Sequence, residues 1–147
     1  MRAVFLDYQS MKPEELDFER LAGATSEFVT HAATPPELVI ERILEFDVVI
    51  LNKVKFERSH FEAAPDLKLI LVSATGTDNV DKQAAVDHGV VVCNVAAYGT
   101  SSVSQHTLML MLMVATQAER YRNDVKASRL RKRALAHPGD WWRPLGR

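Results

Sequence analysis

Residues Val48–Asn94 read VVILNKVKFERSHFEAAPDLKLILVSATGTDNVDKQAAVDHGVVVCN, and this stretch decides the fold. It holds three short apolar runs rich in β-branched residues: Val48–Leu51 (VVIL), Leu69–Val72 (LILV) and Val90–Cys93 (VVVC). Continuous runs of this kind are strands covered on both faces. Cys93, ending the last of them, reads as a small core hydrophobe. Between the runs lie helices. Ser59 is placed to cap a short one that ends before Pro65, and Asp81–His88 forms another closed by Gly89.

The alternation continues outward in both directions. Arg2–Asp7 is a first strand. Pro13 suits the first turn of a helix, with Glu14, Glu15 and Asp17 at its N-terminus, Leu16, Leu21 and Ala22 on its inner face and Gly23 as its stop. Glu27–His31 is a second strand, and Pro35-Pro36 opens a helix carrying Leu38, Val39, Arg42, Ile43 and Phe46. Beyond Cys93, Ser101 or Ser102 can cap a long helix running to about Arg122. Five strand–helix pairs predict an α/β fold: a flavodoxin-like, doubly wound, five-stranded parallel sheet with a long C-terminal helix. The expected organisation is a domain over residues 1–100, a helix over 101–123 and a basic tail over 124–147. Ligands of such sheets meet the loops at the carboxyl ends of the strands. Those loops are Tyr8–Lys12, Asn52–Phe56, Ser73–Asn79 and Asn94–Thr100.

Composition narrows the function. The 147 residues are 47% hydrophobic and 25% charged, the balance of a soluble globular domain. A single cysteine excludes a disulfide framework and a Cys-rich zinc module. Thr107–Ala115, the longest apolar stretch, is far short of the ~20 residues that cross a bilayer. No signal peptide is visible, so the expectation is a cytoplasmic protein without membrane contact. The net charge of −1 conceals an asymmetry. Residues 1–119 carry 9 Lys/Arg against 17 Asp/Glu, a net −8, and residues 120–147 carry 9 against 2, a net +7. The basic end reads as a solvated helix end or linker, and nucleic acid is not expected, because the end lacks the alternating aromatics of a stacking platform.

Several chemistries fall away on the motifs. The six glycines (Gly23, Gly76, Gly89, Gly99, Gly139, Gly146) include no two spaced for G-x-G-x-x-G, and no P-loop is present. A phospho-acceptor switch would place an aspartate after the third strand and a lysine after the fifth; Asn52 and Val95 or Ala96 stand there, although Asp7 would suit the first-strand acid. There is no G-x-S-x-G elbow, and no close pair among His31, His60, His88, His106 and His137 to hold a metal. One loop does suit an anion: Ser73–Asn79 (SATGTDN) offers backbone N–H groups, two threonine hydroxyls and a glycine without side-chain bulk. Equally, Asp78 or Asn79 could merely cap the next helix while Gly76 makes the turn.

Taken in order, Asn52-Lys53-Val54, Ser73–Asp81 (SATGTDNVD), Ala84-Ala85, Gly89–Asn94 (GVVVCN), Tyr98 and Ser102–Leu108 (SVSQHTL) resemble the amino-terminal half of the D-isomer-specific 2-hydroxyacid dehydrogenases. The Gln-His pair is nearest to the glycerate dehydrogenase and hydroxypyruvate reductase branch. The likeness covers about residues 1–128, with Ser104 in place of the usual alanine. It implies the substrate domain of a two-domain oxidoreductase that moves a hydride between NAD or NADP and a small 2-hydroxy or 2-oxo acid. It also implies that Lys53, Val54, Thr75 and Gly76 bind substrate, with backbone N–H groups near Val54 and Gly76 holding its carboxylate. Thr75 and Val103 would approach the cofactor, and Tyr98 would line the cleft.

The family's glycine fingerprint, ribose-binding acid and catalytic Arg, Glu and His match nothing here, so no catalytic residue is assigned; His106 reads as a helix-packing residue. After Ser128 the match ends, as in a truncated or frameshifted frame or an excised fragment. The chain alone is then expected to be inactive, the alternative being a non-catalytic module for small carboxylates. Leu108–Val114 (LMLMLMV) is apolar around its whole circumference and predicts self-association through the helix at 103–115.

Overall fold

The computed structural model describes residues 1–11, 14 and 17–127. Pro13, Leu16, Lys12 and the tail from Ser128 onward, on which some of the expectations above fall, lie outside these. Two compact units divide at Tyr98 and Gly99.

The first unit is a five-stranded sheet, all parallel, in the order β2-β1-β3-β4-β5. Its strands are β1 (Arg2–Phe5), β2 (Glu27–Thr30), β3 (Val48–Leu51), β4 (Leu69–Val72) and β5 (Val91–Asn94). The helices between them are α1 (Phe18–Ala22), α2 (Val39–Ile43), α3 (Arg58–Ala63) and α4 (Lys82–Asp87). This is the doubly wound order that the alternation predicted.

Strand register separates two faces. Val4, Val49 and Ile70 lie level across the sheet and join Val39, Ile43, Phe56, Phe61, Ala84 and Ala85 in the main core. The opposite row is Ala3, Val48, Leu69, Val91, with Phe5, Ile50, Leu71, Cys93 beside it. Tyr8, Phe18 and Phe28 cover the β1 end of that second face, Tyr8 meeting Phe18 edge-on at 5.5 Å. Toward β5 the cover thins: Leu69 and Leu71 are half-buried, and Val91 and Cys93 are exposed. Cys93 is therefore not a core residue. Its strand is an edge strand, and among the described residues of this unit no helix lies over that part of the face.

Local signals explain the boundaries and correct several of them. A turn at Tyr8–Ser10 follows β1, and Asp17 caps α1 through the Arg20 N–H; the expected start at Pro13 falls outside the described residues. Pro36 opens a 3₁₀ turn that leads into α2. Glu57, not Ser59, caps α3, and the His60 ring returns the bond by accepting the Glu57 N–H. Asp81 caps α4 through the Ala84 N–H, so neither Asp78 nor Asn79 does. Gly89 ends that helix at φ +69°, where a side chain would be strained. At the amino ends of the strands, Asp47 ties β1 to β4 by accepting the Arg2 N–H at 2.8 Å and Lys68 Nζ at 2.6 Å.

The second unit begins with α5 (Thr100–Thr116), preceded by Gly99 rather than capped by Ser101 or Ser102. The long helix is not continuous to Arg122. Gln117 turns into the left-handed region at φ 51°, where the sequence passes from apolar to charged, and α6 (Ala118–Lys126) follows. Within this unit Leu108, Leu110, Met111, Leu112 and Val114 stay exposed, and α5 buries no residue. No helix of the described residues is long and apolar enough to cross a membrane.

The asymmetry of the sheet can be measured. Ile70→Ala, deleting a wholly buried side chain of the main core, is expected to destabilise by about 2–5 kcal/mol. Leu71→Ala, one residue on and facing the thinly covered side, should cost no more than about half of that. Urea unfolding of both variants checks it; equal losses would show that the second face is as well packed as the first.

Candidate substrate-carboxylate site

The switch point of the sheet lies between β1 and β3, where the strand order reverses, and a cleft of about 870 Å³ opens there. Its walls come from three connections: Asp7 and Ser10 after β1, Thr34 and Val39 around the start of α2, and Lys53, Val54 and His60 after β3. Arg42 steadies the second wall by donating to Ala33 O and Thr34 Oγ1.

Asp7 is 5% exposed. Its carboxylate accepts three successive backbone N–H groups, from Asn52 at 2.8 Å, Lys53 at 2.6 Å and Val54 at 3.3 Å. On the other side of the same loop, Asn79 Nδ2 donates to Asn52 O and Val54 O, at 3.3 and 2.9 Å. Asn52 Nδ2 donates in turn to Ser10 Oγ. A parallel bridge between Phe56 and Val80 completes the seam, with Phe56 N–H on Asn79 O and Asp81 N–H on Phe56 O. The loop after β3 and the loop after β4 are thus stitched side by side.

Of the four expected substrate residues, Lys53 and Val54 line the cleft, Lys53 with an exposed side chain and Val54 nearly buried. Thr75 and Gly76 are exposed in the adjoining loop and do not line that cleft. The Thr75 hydroxyl donates to Val95 O, and its carbonyl accepts Asn94 Nδ2. The N–H groups of Thr75, Gly76 and Thr77 donate to no partner among the described residues. A Cβ built on Gly76 meets nothing within 4 Å, and its φ is not in the left-handed region. The protein's own packing therefore does not require a glycine there. Val103 sits in α5, in the second unit, exposed within it.

The match to the D-isomer-specific 2-hydroxyacid dehydrogenase catalytic-domain model spans residues 4–136. The chain belongs to this family. The match continues past Ser128, where the motif-by-motif likeness ends. The chain is 34% identical over 126 residues to a glycerate dehydrogenase of Methylorubrum extorquens, covering 85% of this chain and 39% of the relative. It is 36% identical over 117 residues to a hydroxypyruvate reductase of Blautia hydrogenotrophica, covering 78% and 36%. An NAD-dependent formate dehydrogenase of Staphylococcus aureus, solved in complex with NAD, superposes with a TM-score of 0.65 at 26% identity, over 85% of this chain and 41% of that one. The chain spans less than two-fifths of the length of these two curated relatives.

Asp7, Asn79 and His60 are site residues that the motifs did not single out as such. Asp7 reads in sequence as a first-strand acid suited to a phospho-acceptor, and in the fold it is a backbone anchor. Asn79 stands within the Ser73–Asp81 motif and reads in sequence as a loop residue or a helix cap, with no sign of its bonds to the loop after β3. His60 and His31 both have their pKa pushed below the 6.5 of an unperturbed histidine by burial, with the Arg42 charge adding to it at His31 and the Glu57 charge opposing it at His60. His60 Nδ1 must stay unprotonated to accept the Glu57 N–H.

Stability should therefore depend on pH. Because the folded rings hold protons less tightly than unfolded ones, stability is full above about pH 6.5 and falls as the pH drops below it, levelling once the folded rings also protonate. Thermal melts between pH 7.5 and 5 should show that decline, and His60→Gln, whose amide oxygen can still accept the Glu57 N–H, should make it shallower, with His31 supplying the remainder. A melt unchanged over this range would contradict the assignment.

Proposed function

We propose that this chain supplies the substrate-binding portion of an NAD- or NADP-dependent oxidoreductase acting on a small 2-hydroxy or 2-oxo acid, in the manner of its glycerate dehydrogenase and hydroxypyruvate reductase relatives. The observation that carries this reading is the Thr75–Thr77 loop. Three backbone N–H groups there have no partner among the described residues, next to a glycine that the fold leaves open and beside the Lys53-Val54 loop. Unpaired N–H groups at a turn suit a carboxylate. Lys53, Val54, Thr75 and Gly76 are assigned to the substrate, the Gly76 N–H as principal donor and the Val54 N–H as a shared one.

A nicotinamide cofactor would accept or deliver the hydride, and Thr75 and Val103 are the residues assigned to approach it. The residues present do not fit the whole cofactor, since no glycines are spaced to cradle a pyrophosphate. No group here is assigned the acid–base role, so the 147-residue chain by itself is inactive. Residues 1–100 form the substrate domain in this reading; the expected helix over 101–123 is α5 and α6, and α6 takes in the first residues of the basic tail expected over 124–147. Self-association through residues 103–115 is supported by the apolar side chains that α5 leaves uncovered within its unit. A cytoplasmic location accords with this chemistry.

Titration of the ¹⁵N-labelled chain with glycerate tests the reading. The Gly76 and Val54 amides should shift saturably. Gly76→Ala should leave stability unchanged or raise it by about 0.4–1 kcal/mol, because the backbone there accepts a side chain, yet abolish the response. NADH with hydroxypyruvate should show no oxidation on addition of the chain. A Gly76→Ala variant that still binds glycerate, or measurable turnover, would sink the corresponding half of the reading.

A further inference from the structure

Among the described charged groups of this unit, Asp7 is the one that is buried and has no part in the chemistry above. It sits at the carboxyl end of β1 on the floor of the switch-point cleft. Three consecutive N–H groups converge on one carboxylate, which is the arrangement in which a backbone binds an anion; here the protein's own side chain fills it. The three bonds are not equal. Asn52 and Lys53 donate at 2.8 and 2.6 Å, and Val54 only at 3.3 Å. A donor held at that length is aimed but incompletely engaged, and it can be shared with a second acceptor on the cleft side. The carbonyls flanking it are tied to Asn79, so the Val54 peptide cannot swing to follow a ligand.

We propose that Asp7 is a positioning residue for substrate binding: its carboxylate fixes the direction of the Val54 N–H, so that the substrate carboxylate meets a donor already in place. This rests on the reading above that Val54 and Gly76 bind the substrate carboxylate. Asp7 is not a catalytic residue, because it acts through the backbone of the neighbouring loop. Asp7→Asn replaces one of the two accepting oxygens by an amide NH₂. Either that NH₂ confronts the Lys53 and Val54 N–H groups, or the side chain turns and confronts the Asn52 N–H. Both outcomes misdirect the loop while leaving the main core untouched.

The test is titration of the ¹³C,¹⁵N-labelled 147-residue chain with sodium glycerate against sodium chloride of equal ionic strength. In the unaltered chain the Asp7 carboxyl carbon should shift along with the Val54 and Gly76 amides and give the same Kd. Asp7→Asn should weaken Kd by about tenfold, the scale of one hydrogen bond to a charged group. The Val49 and Ile70 amides should hold their positions. An Asp7→Asn chain with its core amides in place and an unchanged Kd would overturn the positioning role while leaving the carboxylate site standing. So would an Asp7 carbon that stays still while Val54 saturates, and that measurement decides the matter if Asp7→Asn does not fold. If neither Val54 nor Gly76 moves in the unaltered chain, the site reading falls and this inference falls with it.

Discussion

A carboxylate taken out of water must be repaid in hydrogen bonds, and Asp7 is repaid by the backbone of a neighbouring loop rather than by a cation. That constraint shapes the carboxyl end of the sheet. β1 and β3 are neighbours only because the topology doubles back there, so the charge at the end of one strand can organise the loop leaving the next. The amino end of the sheet uses the same device with more solvent. Asp47 accepts the Arg2 N–H and the Lys68 ammonium, and the Lys68 bond above all, then the Arg2 N–H, hold its pKa below the usual carboxylate range. The more solvated pair ties the amino ends of inner strands. The buried carboxylate sets a loop.

Once the Asn52–Val54 segment is held, the second loop follows. Asn79 reads the carbonyls that Asp7 leaves over, and the Phe56–Val80 bridge continues the pairing beyond the end of the sheet. Phe56 is completely buried at this seam, its ring 4.9 Å from that of Phe61, so the stitched loops stand on the main core. A site on loops ordinarily suffers from mobility. Here the two loops are extensions of β3 and β4 in all but name, and the Thr75 and Asn94 bonds fasten the far side to the exit of β5.

The fold was legible because its evidence is local. Runs such as VVIL and LILV announce buried strands, and Gly89 and Asp81 announce a helix end and a helix start within one turn of themselves. What misled was burial that depends on the neighbourhood. Val90–Cys93 has the composition of an inner strand, yet β5 is an edge, and nothing in four apolar residues says how many strands lie beyond them. Gln117 was likewise unreadable, since a left-handed residue that is not glycine leaves no compositional trace. The Lys53-Val54 and Thr75-Gly76 pairs came from family motifs. The bonds of Asp7 and Asn79 could not come that way, because their partners are backbone atoms 25 to 47 positions off, and a backbone partner leaves no mark in the sequence of either segment.

The same accounting explains where a ligand can bind. A folded chain satisfies its buried N–H and C=O groups nearly completely. Around this cleft it does so with unusual directness, giving Asn52–Val54 a carboxylate for their donors and an amide for their acceptors. The donors of Thr75, Gly76 and Thr77 receive nothing comparable, although they stand one loop away on the same framework. The difference cannot be laid to crowding, since the space over Gly76 is open. Nor does backbone strain require the glycine, since its φ is ordinary. The turn that leaves these three donors without a protein partner and the space over Gly76 open, braced by two neighbouring loops, is the feature on which the proposed carboxylate site rests. In that reading a carboxylate would take up the three donors without displacing any bond of the framework.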